Sequence, residues 1–134
     1  ARLTIEPRLA ELAAAAMTPA LIAQLAALDG RVNDAIRAGD VAGYLSANHA
    51  FHFALYEASG AGVLIDMARS MWLRFGPSLR VVATLAGASG LPDQHAEALA
   101  AMRAGDGPRL ARAMHDDIAQ GVEEVRAALA RGEI

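Results

Sequence analysis

Apolar residues along this chain recur three and four positions apart, between short breaks rich in Gly, Pro, Ser or Asp. That is the period of one face of an α-helix; strict alternation, the mark of a strand, does not stand out. A first helix is predicted from about Leu3 to Ala16, ending near Met17. Thr18 has the chemistry of an N-cap, and Pro19 suits the first helical position after it. The second helix should run to about Ala38 and stop at Gly39, with Gly30 expected to weaken or kink it. Asp40 reads as the cap of a third helix that reaches about Ala58 and ends at Ser59-Gly60. A fourth covers about Gly62 to Leu85, and Gly76-Pro77 should kink or interrupt it. After a turn at Gly87-Ala88-Ser89-Gly90, a fifth starts near Leu91-Pro92 and ends at Ala104-Gly105. Asp106 caps the sixth, which has Pro108 in its first turn and runs to about Arg131. Helices joined by such short connections pack as an antiparallel bundle, so the expected fold is all-α with about six helices.

Composition supports this reading. The length of 134 residues suits one domain with a real core. Hydrophobic residues make up 54%, but aromatics only 4%, so Ala, Leu, Val, Ile and Met must fill that core. Ala and Leu are strong helix formers. Cysteine is absent, which excludes disulfides and thiolate metal sites and fits a reducing cytoplasm. All 12 basic residues are Arg, the net charge is −3, and no segment gathers them into a basic stripe. Nucleic-acid binders usually carry such a footprint, so this segment is not expected to bind DNA by itself. No stretch has the apolar length of a membrane span. The chain opens at Ala1-Arg2-Leu3, already inside a helical pattern and without an initiator Met, and is expected to extend upstream.

Polar residues break the apolar faces at telling places. The inward stripe of the third helix is Val41, Leu45, Asn48, His52 and Leu55. Asn48 and His52 lie four apart, on one face, between apolar neighbours. Burying an amide and an imidazole is costly unless both find partners, and two at helical spacing suggest a shared one. On the fifth helix His95 interrupts Leu91, Leu99 and Met102. On the sixth, His115 stands at the edge of the stripe Leu110, Met114, Ile118, Val122, Val125 and Leu129. Thus three of the four histidines, from three helices, point toward one interior. Neutral imidazole is the commonest metal ligand of this kind, and three with an oxygen donor suit Zn, Ni, Co, Mn or Fe. Each histidine taken alone is more often a satisfied core or surface residue than a ligand. His49, the fourth, lies off the Asn48–His52 face and reads as a flank or interface residue.

The chain also resembles a known family: the C-terminal effector domain, or FCD domain, of GntR-type transcription regulators of the FadR subfamily. The resemblance spans essentially all of residues 1–134. It rests on Arg2-x-x-Ile5-Glu6, on Ala38-Gly39-Asp40, and on Asn48-His49-Ala50-Phe51-His52 against the family's Asp-x-x-Phe-His. Glu57-Ala58-Ser59-Gly60, His95 eleven residues before Asp106, and Met114-His115, against a final Met-x-x-His or nearby His, complete it. It implies a helical bundle with a divalent transition metal, Zn or Ni foremost, in its interior. Its ligands would fall on Asn48, His52, His95 and His115. It further implies a small organic-acid effector beside the metal and a homodimer. DNA would be bound only through a winged helix-turn-helix domain upstream. The chain departs from the pattern at Asn48, usually Asp, and at Ala61, often Asn. Three neutral imidazoles and an amide would leave a dication uncompensated, which favours a carboxylate effector. Arg2, which matches the family's first-helix Arg, together with Arg74 and Arg80 on helix four, are candidate carboxylate partners; Tyr44, on the Asn48 face, is a candidate hydrogen-bond donor. Solvated faces or interhelical ion pairs are the plainer roles for these arginines, and pocket-wall packing for Tyr44. Trp72 reads as core or dimer interface. The rival readings are a metal-dependent helical enzyme and a metal-free helical dimerisation module. Against the enzyme, the chain has neither His-Glu-x-x-His nor a Glu-x-x-His pair.

Overall fold

The computed structural model describes residues 1–85 and 90–133; of residues 76–85 it describes the backbone alone. The described residues form six α-helices and no strand: α1 (Arg2–Ala14), α2 (Pro19–Ala38), α3 (Val41–Glu57), α4 (Gly62–Leu85), α5 (Gln94–Ala104) and α6 (Gly107–Ala130). Side chains set most of the starts. The N–H of Leu21 donates to Thr18 Oγ1, that of Gly43 to Asp40 Oδ1, that of Ala96 to Asp93 Oδ1, and that of Arg109 to Asp106 Oδ1. Each bond satisfies a donor that the first helical turn leaves orphaned. Gly39 and Gly105 end α2 and α5 in the left-handed conformation, which glycine adopts without a Cβ penalty.

Three boundaries differ from expectation. α1 stops at Ala14, two residues early, where the chain turns toward Thr18. α5 starts at Gln94, after Leu91-Pro92, because the cap is Asp93. Leu91 is therefore not part of the helix's buried stripe; it is half-exposed. α4 continues without interruption through Gly76-Pro77, since loss of one N–H need not end a helix. Gly30 does not break α2 either. The expected turn at 87–90 lies, apart from Gly90, outside the described residues.

α6 is the central helix. It packs along α1 and α5 and also touches α4, while α3 packs against α2, α4 and α1. Leu9, Leu25, Phe51, Leu55, Tyr56, Leu110 and Met114 are fully buried between these helices. Replacing Asp106 by Ala should cost about 1 kcal/mol by removing the cap of this central helix. A shift of the urea midpoint at unchanged slope measures it; no shift would mean that tertiary packing alone fixes the start of α6.

Candidate metal centre

The α2–α6 helices bring a compact polar group into this apolar bundle. α3 supplies His52, α5 His95 and α6 Asp117, and one ligand atom from each lies within 4.8 Å of the others. His52 and His95 are buried, and Asp117 is partly so. His52 Nε2 is 3.1 Å from Asp117 Oδ2, and His95 Nε2 is 3.7 Å from Asp117 Oδ1. The two imidazoles thus turn the same nitrogen toward the two oxygens of one carboxylate.

The far sides of both rings are occupied. His95 Nδ1 donates to Asp29 Oδ1 on α2, 3.0 Å away. His52 Nδ1 lies 2.9 Å from the hydroxyl of Tyr56, which donates to Glu6 Oε2 on α1 at 2.6 Å. A neutral imidazole has one N–H, so with Nδ1 protonated each Nε2 holds a lone pair. Lone pairs facing a carboxylate repel it unless a proton or a cation lies between. His52 Nε2 is buried and has no aligned hydrogen-bond partner among the described residues, despite its closeness to Asp117. An orphaned buried nitrogen calls for an explanation, and a metal ion supplies one. Two imidazole nitrogens and a carboxylate oxygen, with the Asn48 amide nearby, are a donor set suited to Zn, Ni or Co.

The ionisation pattern agrees. Burial pushes the Asp117 carboxyl up, but His95, His52 and Arg2 outweigh it and hold it down at about 2. Burial lowers the pKa of His52, against the pull of Asp117. For His95 burial is outweighed by Asp117 and Asp29, and the pKa is raised. The signs give a pH dependence for the metal-free chain. Asp117, with its pKa lowered from an ordinary 3.8, contributes stability that is fully present above that value and lost as the pH falls toward 2. The loss should be roughly 2 kcal/mol. His95, with its pKa raised, contributes stability present below its ordinary 6.5 and lost as the pH rises through its folded value. Urea midpoints measured from pH 2.5 to 8 on the chain and on Asp117→Asn test this. An equally steep acid limb in the variant would clear Asp117 of the role.

A cavity of about 330 Å³ opens over this group. Arg2, Tyr44, Asn48 and Trp72 share its wall with the three candidate ligands. Arg2 is held bidentately by Glu6, with its guanidinium 4.6 Å from the Trp72 ring. Burial, then Asp117 and Glu124, raise the Tyr44 pKa, so its hydroxyl remains a donor. Four sequence-predicted residues (Asn48, His52, His95 and Tyr44) thus meet at one place, with Arg2 at the wall.

Two do not join them there. His115 is exposed, half of its side chain in solvent, with Nδ1 3.0 Å from Asp116 Oδ1. The reason is angular: each helical residue turns by about 100°, so His115 lies about 100° to one side of buried Met114 while Asp117 lies about 60° to the other. Asp117, three after Met114, also keeps the Met-x-x-His spacing, with a carboxylate in place of the imidazole. Arg74 is exposed and does not line the cavity; two residues from buried Trp72, it points away from the core. The side chain of Arg80 lies outside the described residues. His49 is the expected flank residue, stacked on Phe53 at 4.5 Å between ring centroids. Trp72 is core.

Sequence reasoning passed over Glu6, Asp29 and Asp117. Asp117 had its spacing from Met114, and the other two had a signal as well. Asp29 interrupts the apolar series Leu25, Val32, Ile36, and Glu6 precedes Leu9, Ala10 and Ala13 on the buried face of α1.

Comparison with known proteins agrees with the fold. The family model of the FCD domain matches residues 1–120. The chain belongs to the FCD domain family. The HTH-type transcriptional regulator McbR of Escherichia coli strain K12 is 31% identical over 78 residues, 58% of this chain and 35% of that protein. The solved structure of E. coli McbR/YncC superposes with a TM-score of 0.74 at 28% identity, covering 92% of this chain and 65% of that one. The chain thus spans less than two thirds of the length of the regulator it matches. An FCD domain of this kind is a regulatory module of a GntR-type regulator, not an enzyme. No described helix is long and apolar enough to cross a membrane.

Proposed function

We propose that this FCD domain is the sensing half of a cytoplasmic transcription regulator. It holds a divalent transition metal, Zn or Ni foremost, and uses it to bind a small carboxylate effector. Binding alters the DNA affinity of a winged helix-turn-helix domain upstream, within a homodimer. The observation that supports this best is the pair of buried imidazoles whose Nε2 atoms converge on Asp117 beside a ligand-sized cavity. His52, His95 and Asp117 would hold the ion, with Asn48 as a further oxygen donor.

Charge favours a monocarboxylate. Imidazoles and an amide alone would leave a dication uncompensated; with Asp117 as ligand, one positive charge remains to be matched. The metal would act as a Lewis acid that fixes a carboxylate oxygen. Arg2 and Tyr44 offer charge and a hydrogen bond from the wall. The effector shifts a population of domain arrangements only by its differential affinity for them.

Elemental analysis comes first, then thermal shift with a panel of mono- and dicarboxylic acids, then DNA binding by the full-length regulator with and without the hit. A near-stoichiometric metal, a stabilising acid that needs it, and a changed DNA affinity are the expected results. No metal uptake from excess Zn or Ni would sink the sensor reading in favour of a metal-free helical module.

A further inference from the structure

Behind His52 lies a second arrangement of polar groups. Glu6 is fully buried and accepts four hydrogen bonds. Oε1 accepts from Arg2 Nε at 2.6 Å and from Trp72 Nε1 at 3.1 Å. Oε2 accepts from the Tyr56 hydroxyl at 2.6 Å and from Arg2 Nη2 at 3.2 Å. A carboxylate paired with a guanidinium can only accept, so the Tyr56 proton must point at Glu6. What Tyr56 then offers His52 is an oxygen lone pair, 2.9 Å from Nδ1. That lone pair selects the imidazole tautomer with its proton on Nδ1.

We infer that Tyr56, oriented by Glu6, is a positioning residue that locks His52 in the Nδ1-protonated tautomer and so keeps the Nε2 lone pair aimed at the candidate metal centre. The inference rests on the proposed metal site for its purpose but not for its geometry. The direction of each hydrogen bond follows from Arg2, whose guanidinium cannot accept. Without the lock, the other tautomer is the better one for a metal-free chain. A small turn of the ring would align Nε2–H with Asp117 Oδ2, 3.1 Å away, and that bond would have to break before an ion could bind. His95 has its own lock, a direct bond from Nδ1 to Asp29, and serves as an internal reference. Outer partners of this type orient metal-binding imidazoles and fix their tautomers.

Multiple-bond proton–nitrogen correlation spectra of the metal-free, ¹⁵N-labelled chain read the tautomer of each histidine ring. In the unaltered chain, at a pH above the raised pKa of His95, both rings are expected as Nδ1–H. In Tyr56→Phe, His52 should move toward Nε2–H while His95 keeps its pattern. Competition with a zinc chelator should show the variant's affinity lowered about 10- to 100-fold. An Nε2–H signal for His52 in the unaltered chain overturns the inference without any variant. So does a Tyr56→Phe chain with the tautomer and zinc affinity unchanged. If zinc fails to bind the unaltered chain, the metal reading falls, while the tautomer assignment is still decided by the spectra.

Discussion

Replacing Asp117 by Ala is expected to lower zinc or nickel affinity by more than the roughly 10- to 100-fold that loss of an outer partner costs. Replacing His115 by Ala should leave affinity unchanged. The pair separates two readings of α6. By residue type alone His115 is the better ligand, yet it is exposed and bonded to its neighbour Asp116. Asp117 faces both buried imidazoles and supplies the negative charge that a dication between them needs. The variants differ in a further way. Without Asp117, binding would place a dication among neutral donors in a partly buried site, where desolvation weighs heavily. Titration calorimetry, or chelator competition if binding is tight, gives the affinities. Should His115→Ala weaken binding as much as Asp117→Ala, the arrangement of α6 described above is not the one that holds the ion. Because each imidazole must shed any proton on Nε2 to bind, affinity should also fall with pH as His95 is protonated.

The second large effect concerns stability. Glu6→Ala should destabilise the chain by about 3–5 kcal/mol, the range for removing one partner of a buried ion pair. Arg2, Trp72 and Tyr56 would all lose an acceptor at once. Unmet donors in a water-poor interior cost more than the bonds contributed when made. Domains of this size are stable by only about 5–15 kcal/mol, so the variant should be near its limit. Urea unfolding measures it, and a loss under about 1 kcal/mol would mean that water replaces the carboxylate. Glu6→Gln should fall between, since it keeps the shape but removes the charge that pairs with Arg2.

Much of this was legible in the sequence, for identifiable reasons. Helix starts at Thr18, Asp40 and Asp106 follow from short side chains that bond their own backbone, a local event. The Asn48–His52 face and His95 stood out because polar groups on an apolar stripe conflict with burial. The rest depended on angle and distance between helices. A stripe drawn from apolar residues has two edges. Preferring Asp117 at one edge to His115 at the other required knowing that α5 lies on the Asp117 side. Glu6 stood in the sequence only as the end of Arg2-x-x-Ile5-Glu6; tertiary packing alone puts α3 and α4 over it. Arg74 failed because a helix alongside a cavity turns only part of its surface to it.

Trp72 gives the bundle an optical property. It is the sole tryptophan of the chain, its ring centroid is 5.0 Å from that of His52, and its indole N–H is bonded to Glu6. An excited indole is sensitive to both the charge and the electron spin of what lies beside it. Nickel entering next to His52 should therefore darken the emission, whereas zinc, with its closed shell, should mainly shift its colour. The domain thus needs no attached dye, and filling of the site can be followed in real time, metal by metal, from the light of one side chain.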